Sequence, residues 1–213
     1  MNGYLIYHPA RAVSRLGDLT IYHDATTGNQ DPYIWNKCFL HTYCHITGLR
    51  AAAGDINFWV SGDHFPRFNH LYCDLVFVVA EKLYWSARNA IVATDSLVDT
   101  PAAYADHYRW ASIQHRFKRR RRYTLKADPL RSFQPQDGAN RLIDLVPFLV
   151  AHGFSLEMLR QGLRRGFRSR PMVLGAMASD LYIWLAQTAP VKINGSLLQE
   201  IRQQHPELAS PDP

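Results

Sequence analysis

This chain of 213 residues lacks the short signatures that mark the commonest nucleotide-dependent and hydrolytic enzymes. It contains no glycine-rich phosphate loop, no Walker motif, no Gly-x-Ser-x-Gly turn and no dinucleotide-binding fingerprint. These absences argue against ATPase, serine-hydrolase and nicotinamide-dependent dehydrogenase chemistry, and the function has to be sought in other features of the sequence.

Cysteine is scarce, and long hydrophobic runs are missing. The three cysteines, Cys38, Cys44 and Cys73, are odd in number and have no framework spacing, so we predict no disulfide scaffold and a reducing compartment. The first nine residues lack the basic and apolar regions of a signal peptide, and the longest apolar runs have the length of a strand rather than of a membrane span. The sequence therefore predicts a soluble cytoplasmic protein that has no membrane partner.

No pattern of metal ligands stands out either. The densest segment of His and Cys is His41-Thr42-Tyr43-Cys44-His45, and its spacing fits neither a zinc finger nor a zincin helix. On a strand, Cys44 faces away from both histidines, because neighbouring side chains alternate between the two faces. We therefore predict no metal site and no bound cofactor.

Positive charge, by contrast, is abundant and concentrated. The net charge is +6, and half of the 24 Lys and Arg residues lie in two stretches, residues 115–126 and 159–170. Dense like charges repel one another and a polyanion relieves that repulsion, so the stretches predict contacts with a nucleic-acid backbone. The candidate backbone-binding residues are Arg116, Lys118, Arg119, Arg120, Arg121, Arg122, Arg164, Arg165 and Arg168. A solvated charged surface and a patch that meets a membrane are the alternative explanations.

Residue patterns divide the chain into a strand-rich first part and a helical end. Strands are predicted at residues 5–7, 19–22, 39–46, 56–61 and 73–80, and the last of these is apolar enough for the centre of a sheet. Helices are predicted at residues 141–152, 155–165, 171–187 and 196–204, with Ser155 and Pro171 as start signals. The fold class is therefore α+β: a β-rich part over residues 1–135, and a helical part over residues 136–209 that packs on it as one unit.

Two loops beside the predicted strands hold the residues best suited to chemistry. Segments 22–33 and 57–64 each combine a carboxylate, an amide and an imidazole with aromatic rings. This mixture suits a pocket that stacks a flat base, reads its edge and activates a water. The candidate catalytic residues are Asp24, Asp31, Asp63 and His64, and the candidate base-binding residues are His23, Tyr33, Asn57 and Trp59. Ordinary turns explain the same loops without catalysis, and we expect Asp55 of the Gly54-Asp55 turn to be a residue of that kind.

A series of spaced residues resembles a known family. In order, the series is Tyr22, Asp24, Asp31-Pro32, Cys38, Cys44, Arg50, Gly54-Asp55, Gly62 and Asp74-Leu75-Val76-Phe77. It resembles one of the nucleotide-modification-associated domain families found near phage and bacterial DNA-modification genes, although His45-Ile46 stand where that family usually has Lys-Pro. The resemblance implies a PUA-like, partly closed sheet and a role with modified bases, as in phage defence. Separately, Gln30-Asp31-Pro32-Tyr33 resembles the water-activating motif of uracil-DNA glycosylases.

These features together predict a DNA-binding enzyme that acts on hypermodified bases. The most concrete form is a glycosylase that flips out a glucosylated or hydroxymethylated cytosine and excises it, with a carboxylate holding the water that attacks C1′. One rival hypothesis is a non-catalytic reader of modified DNA or RNA, and another is an RNA-binding protein with no preference for modified bases. The sequence leaves open which aspartate is catalytic.

Overall fold

A computed structural model of the chain describes residues 1–7, 11–24, 42–43, 51–84, 123–166 and 169–204. The strands in this part are β1 (Gly3–Tyr7), β2 (Arg11–Leu16), β3 (Leu19–Asp24), β4 (Thr42–Tyr43), β5 (Ile56–Gly62), β6 (Leu71–Tyr84), β7 (Tyr123–Ala127), β8 (Phe133–Gln136), β9 (Met172–Val173) and β10 (Val191–Asn194). The helices are α1 (Val146–Ala151), α2 (Leu156–Leu163), α3 (Met177–Thr188) and α4 (Gly195–Gln204). The predictions for Asp31, Tyr33, Arg168 and the cations at 116–122 lie outside these residues.

One mixed sheet organises the described part of the molecule. Six of its strands follow the order β10-β8-β6-β5-β1-β9, and β7 pairs with both β6 and β4. Strand β1 is parallel to β5, with Leu5 opposite Phe58, and antiparallel to β9, with Tyr4 opposite Val173. Because β1 and β5 are parallel, their carboxyl ends lie at the same edge of the sheet, which we call the loop edge.

The helices cover one face of the sheet, here called the helix face. Residues of that face form one buried cluster with residues of the helices: Leu5, Ile56, Phe58, Val60, Val76, Val78, Phe133, Leu149, Leu159, Leu163, Leu181 and Leu185. Successive residues of a strand point to opposite faces, so the residues between these strand positions belong to what we call the second face. The second face carries Tyr4, Ile6, Asn57, Trp59, Ser61, Leu75, Phe77, Gln134 and Gln136.

A separate hairpin of β2 and β3 attaches to the second face through glutamine side chains. The Gln134 amide donates to the carbonyl of Tyr22 at 2.8 Å and accepts from the N–H of Tyr22 at 3.0 Å. The Nε2 of Gln136 donates to the carbonyl of Thr20 at 2.6 Å. These two side-chain amides thus satisfy backbone groups of β3 that a neighbouring strand would otherwise satisfy.

The α+β prediction is confirmed, and several of its local signals are confirmed with it. The strand predicted at 73–80 lies within β6, which is hydrogen-bonded to β5, β7 and β8 inside the sheet. Ser155 caps α2, because its Oγ accepts the N–H of Met158 at 3.1 Å. Of the strand predicted at 39–46, only Thr42–Tyr43 lies within the described residues.

Two helix predictions are wrong in extent. Pro171 does not begin a helix: Met172 and Val173 form β9 against β1, and Gly175, with φ of +58°, makes a turn before α3 begins at Met177. The helix predicted at 141–152 begins only at Val146, because the preceding residues are extended and form bridges to Tyr72 and Gln136. Within the described residues, no helix is both long and apolar enough to span a membrane.

Candidate functional site

Strand β5 presents three polar side chains to the second face, and all are buried. Asn57 is 0% exposed, and Trp59 and Ser61 are each 3% exposed. Neither amide atom of Asn57 has a hydrogen-bond partner within the described part of the chain, and the same holds for the Ser61 hydroxyl. A buried polar group left without a partner costs about 1–3 kcal/mol, and in a folded protein it calls for an explanation.

The surroundings of Asn57 are flat or apolar. By strand register, Asn57 lies between Tyr4 of β1 and Phe77 of β6, while Trp59 lies between Ile6 and Leu75. A side-chain amide offers one acceptor oxygen and two donor hydrogens, and hydrogen bonds gain strength in such a low-dielectric setting. Within the described residues, the Asn57 amide therefore keeps unused capacity both to donate and to accept hydrogen bonds.

An irregularity in the sheet lies directly beside these residues. The pairing of β5 with β6 shifts between Trp59 and Val60, so that Asp74 is the extra residue on β6. Asp74 is buried, and the Gln134 amide donates to its carbonyl at 2.8 Å. Sequence reasoning included Asp74 only in the family resemblance and not among the catalytic candidates. Bulges of this kind often stand next to active sites, where they change the direction of a side chain.

The neighbouring thiol is chemically quiet. Burial, together with the negative charge of Asp74, raises the pKa of the Cys73 thiol well above its usual value. The thiol therefore stays protonated, and it behaves as a small hydrophobic group. Cys38 and Cys44 lie outside the described residues.

At the loop edge, residues 63–70 connect β5 to β6, and Asp63 holds this loop in place. Its Oδ1 accepts the N–H groups of Asn69 at 2.8 Å and of His70 at 3.1 Å. The small burial of Asp63 acts to raise its pKa, but the backbone N–H groups outweigh that effect and hold the pKa below its usual value. Asp63 is thus ionised at neutral pH, and its observed contacts are those of a loop-stabilising carboxylate.

A histidine–aspartate pair that the sequence did not reveal also lies at the loop edge. The Nδ1 of His70 is 2.8 Å from Oδ2 of Asp144, while Oδ1 of Asp144 accepts the N–H groups of Leu71 and Val146. The hydrogen bond and charge of Asp144 raise the pKa of His70. An imidazole held at Nδ1 presents Nε2 for proton exchange. The two residues are 74 positions apart in sequence, and no local pattern links them.

The predicted site residues occupy separate regions. Asn57 and Trp59 share the second face, whereas Asp63 and His64 lie at the loop edge. Six residues of extended strand span about 20 Å, so Asn57 and Asp63 are too far apart to contact the same atom. His23 and Asp24 end β3, where they pair with the start of β2, and they are described by their backbone alone.

The second basic stretch lies near the loop edge. Arg164 and Arg165, which follow α2, are exposed. The next residue, Gly166, packs so closely that a Cβ atom there would lie 3.3 Å from Phe65 and 3.7 Å from Tyr7. The structure therefore brings the predicted cations at 164 and 165 to the same side of the molecule as Asp63 and His64.

Neither a metal cluster nor a relative adds information about this site. Among the residues that the structure describes, no group of three or more His, Cys, Asp or Glu side chains could hold a metal ion. No family model, curated protein or solved structure is significantly similar to the chain. A function for this chain is therefore inferred from the chemistry of its own residues.

Proposed function

We propose that the protein binds DNA that carries a hypermodified base and cleaves the N-glycosidic bond of that base. The observation that supports this most directly is the buried Asn57 amide, whose donors and acceptor have no partner within the described residues. A flipped base would supply complementary edge groups to Asn57 and a flat ring to Trp59. Base–aromatic stacking of this kind contributes about 1–3 kcal/mol per base.

Basic surface supports the same proposal. Exposed Arg164 and Arg165 are suited to phosphate contacts, which position a protein on a duplex without reading its sequence. A PUA-like closure of the sheet, a cytoplasmic location and a role in phage defence are parts of this proposal that come from the family resemblance.

Hydrolysis of the bond requires a water at C1′ and a proton for the departing base. Asp24 and Asp31 remain the candidate water-binding carboxylates, and His23 the candidate proton donor. Asp63 and His64, at the loop edge, are too far from Asn57 to act on a base held there. To Asp24 and Asp31 we add Asp74, the buried carboxylate residue at the bulge next to Trp59. The His70–Asp144 pair lies beside Asp63 at the loop edge, so it is also too distant to protonate a base held by Asn57.

The direct test incubates the purified protein with duplex DNA containing cytosine in unmodified, methylated, hydroxymethylated or glucosylated form. We expect free base and abasic sites from one of the bulky-modified substrates. Asn57→Leu should weaken binding of that substrate at least tenfold, because the leucine cannot pair with a base edge. Phe58→Leu is the matched control, since it changes the adjacent residue on the opposite face and should leave substrate affinity within a few-fold.

A reader of modified DNA or RNA that performs no chemistry is the second candidate. It is favoured by Asp63, whose carboxylate accepts two backbone N–H groups of its own loop as a structural residue would. We expect a reader to bind modified DNA more tightly than unmodified DNA and to release no base at any pH. The Asn57→Leu variant of a reader should bind the two kinds of DNA equally. Equal binding of modified and plain DNA by the wild type would contradict both candidates and leave a general nucleic-acid binder.

A further inference from the structure

The loop between β5 and β6 exposes one large aromatic ring. Phe65 is 47% exposed, although the loop that carries it is otherwise rich in polar and charged residues. Exposed apolar side chains that stand alone are common on protein surfaces and need no explanation by themselves. Phe65 differs because the backbone beneath it is fixed and because cations flank it.

Several contacts fix the loop. The Tyr7 ring lies 5.0 Å from the Phe65 ring, and the Oη of Tyr7 accepts the N–H of Gly62 at 3.3 Å. From α2, the Arg160 guanidinium donates to the carbonyl of Phe68 and to Oδ1 of Asn69, both at 2.8 Å. With the Asp63 contacts described above, these bonds hold the loop at both ends. The Phe65 ring is packed against Tyr7 and Gly166 on one side and exposed on the other.

Positive charge flanks the ring from two segments. Arg67 lies two residues further along the loop, and Arg164 and Arg165 precede Gly166, which packs against Phe65. All three arginines are exposed, and in the described part of the chain none of them forms an ion pair. Exposed cations near an apolar ring complement a duplex, whose stacked bases lie between two rows of phosphates.

We infer that Phe65 is a wedge that inserts into the base stack of duplex DNA while Arg67, Arg164 and Arg165 bind the adjacent phosphates. Apolar side chains inserted between base steps unstack them, which lowers the cost of flipping a neighbouring base. The inference rests on the proposed function, and it names the residue that would open the base stack. A membrane surface fits less well, because insertion into lipid normally uses a broad apolar helix face rather than a single ring.

The test uses a duplex with 2-aminopurine paired to thymine, whose fluorescence rises when the base is unstacked. We expect wild-type protein to brighten the probe, and Phe65→Ala to lose most of that increase while its affinity falls roughly 5- to 150-fold. Phe65→Leu retains an apolar side chain and should keep part of the fluorescence increase. If it loses the increase as completely as Phe65→Ala does, removal of the ring has disturbed the loop itself. Ile183→Ala is the matched control, since Ile183 is an equally exposed apolar residue on α3.

Replacement of Arg164 and Arg165 together by Ala tests the phosphate contacts. This variant should reduce the slope of log affinity against log salt by about 2, because each lost contact releases fewer counterions. If wild-type protein binds the duplex and Phe65→Ala binds and brightens it equally well, the wedge is overturned and the proposed function stands. If wild-type protein binds no DNA, or instead binds phosphatidylserine vesicles through Phe65, both are overturned.

Discussion

The two faces of strand β5 have opposite chemistry although both are buried. Toward the helices, the strand presents Ile56, Phe58 and Val60, which join the main hydrophobic cluster. Toward the second face it presents Asn57, Trp59 and Ser61, and two of these three carry polar atoms without partners in the described residues. The helix face is built as a hydrophobic core. The second face instead retains buried polar groups that lower stability, a pattern expected at a ligand-binding site.

The largest expected effect is the loss of stability on truncating a buried side chain of the helix face. Phe58→Ala removes a fully buried ring and leaves a cavity, so we expect the free energy of unfolding to fall by about 3–5 kcal/mol. Urea denaturation followed by circular dichroism measures the change. Ile183→Ala, at an exposed position, should stay within about 0.5 kcal/mol of wild type. A small loss for Phe58→Ala would show that the helix face is not the stabilising one.

Gln134→Leu should lower the stability of the β2–β3 hairpin, which is attached to the second face. This variant removes four bonds: two to Tyr22, one to the carbonyl of Asp74 and one from Nε2 of Gln136. At about 1 kcal/mol each, a loss of roughly 3–4 kcal/mol is expected. The loss should be local: hydrogen exchange at the Tyr22 amide should speed up more than exchange at the Phe58 amide. Equal acceleration at both amides would mean that the hairpin and the sheet unfold as one unit.

A change of the opposite sign is expected at Asn57. Asn57→Leu replaces an amide that has no partner among the described residues by an apolar group of similar length, so we expect unfolding to cost about 1–2 kcal/mol more than in wild type. Ser61→Ala should change stability in the same direction by a smaller amount. A clear loss of stability in Asn57→Leu would show that the amide is satisfied in solution, and the argument for a ligand there would fail.

The smallest effect concerns pH at the loop edge. Because Asp144 raises the pKa of His70 above its usual value, the pair stabilises the fold fully below the unfolded pKa of about 6.5, and the contribution disappears as pH rises through the higher folded pKa. NMR titration should find the pKa of His70 elevated in wild type and lowered toward its usual value in Asp144→Asn. An unchanged pKa in that variant would contradict the pairing.

The sequence predicts the parts of this structure that depend on local signals. Local sequence predicts three of these features: the apolar run of β6, the Ser155 cap and the Gly54-Asp55 turn. Asp55 behaves as that turn predicts, since its carboxylate accepts the N–H groups of Asn2 at 2.7 Å and Ala52 at 2.9 Å. The bond to Ala52 is local to the turn and follows from adjacent residues, whereas the bond to Asn2 forms only when β1 and β5 come together.

The features that the sequence does not predict depend on distant partners. Strand β8 reads Phe-Gln-Pro-Gln, which has poor strand propensity, and it exists because β10 and β6 pair with it. Asn57 was predicted to read a base edge from its place on a strand. Its complete burial, with no partner among the residues that the structure describes, depends instead on the packing of the whole sheet. The His70–Asp144 pair is invisible for the same reason.

The position of β1 has a consequence for the synthesis of the chain. Leu5 pairs on one side with Phe58 and on the other with Met172, so β1 acquires its second neighbour only after almost all of the sheet has been translated. At 5–20 residues per second, roughly 10–30 s separate the appearance of Leu5 from that of Met172 on the ribosome. During that interval one edge of β1 is without its native partner, and a nascent chain in this state is a natural client for a holdase chaperone.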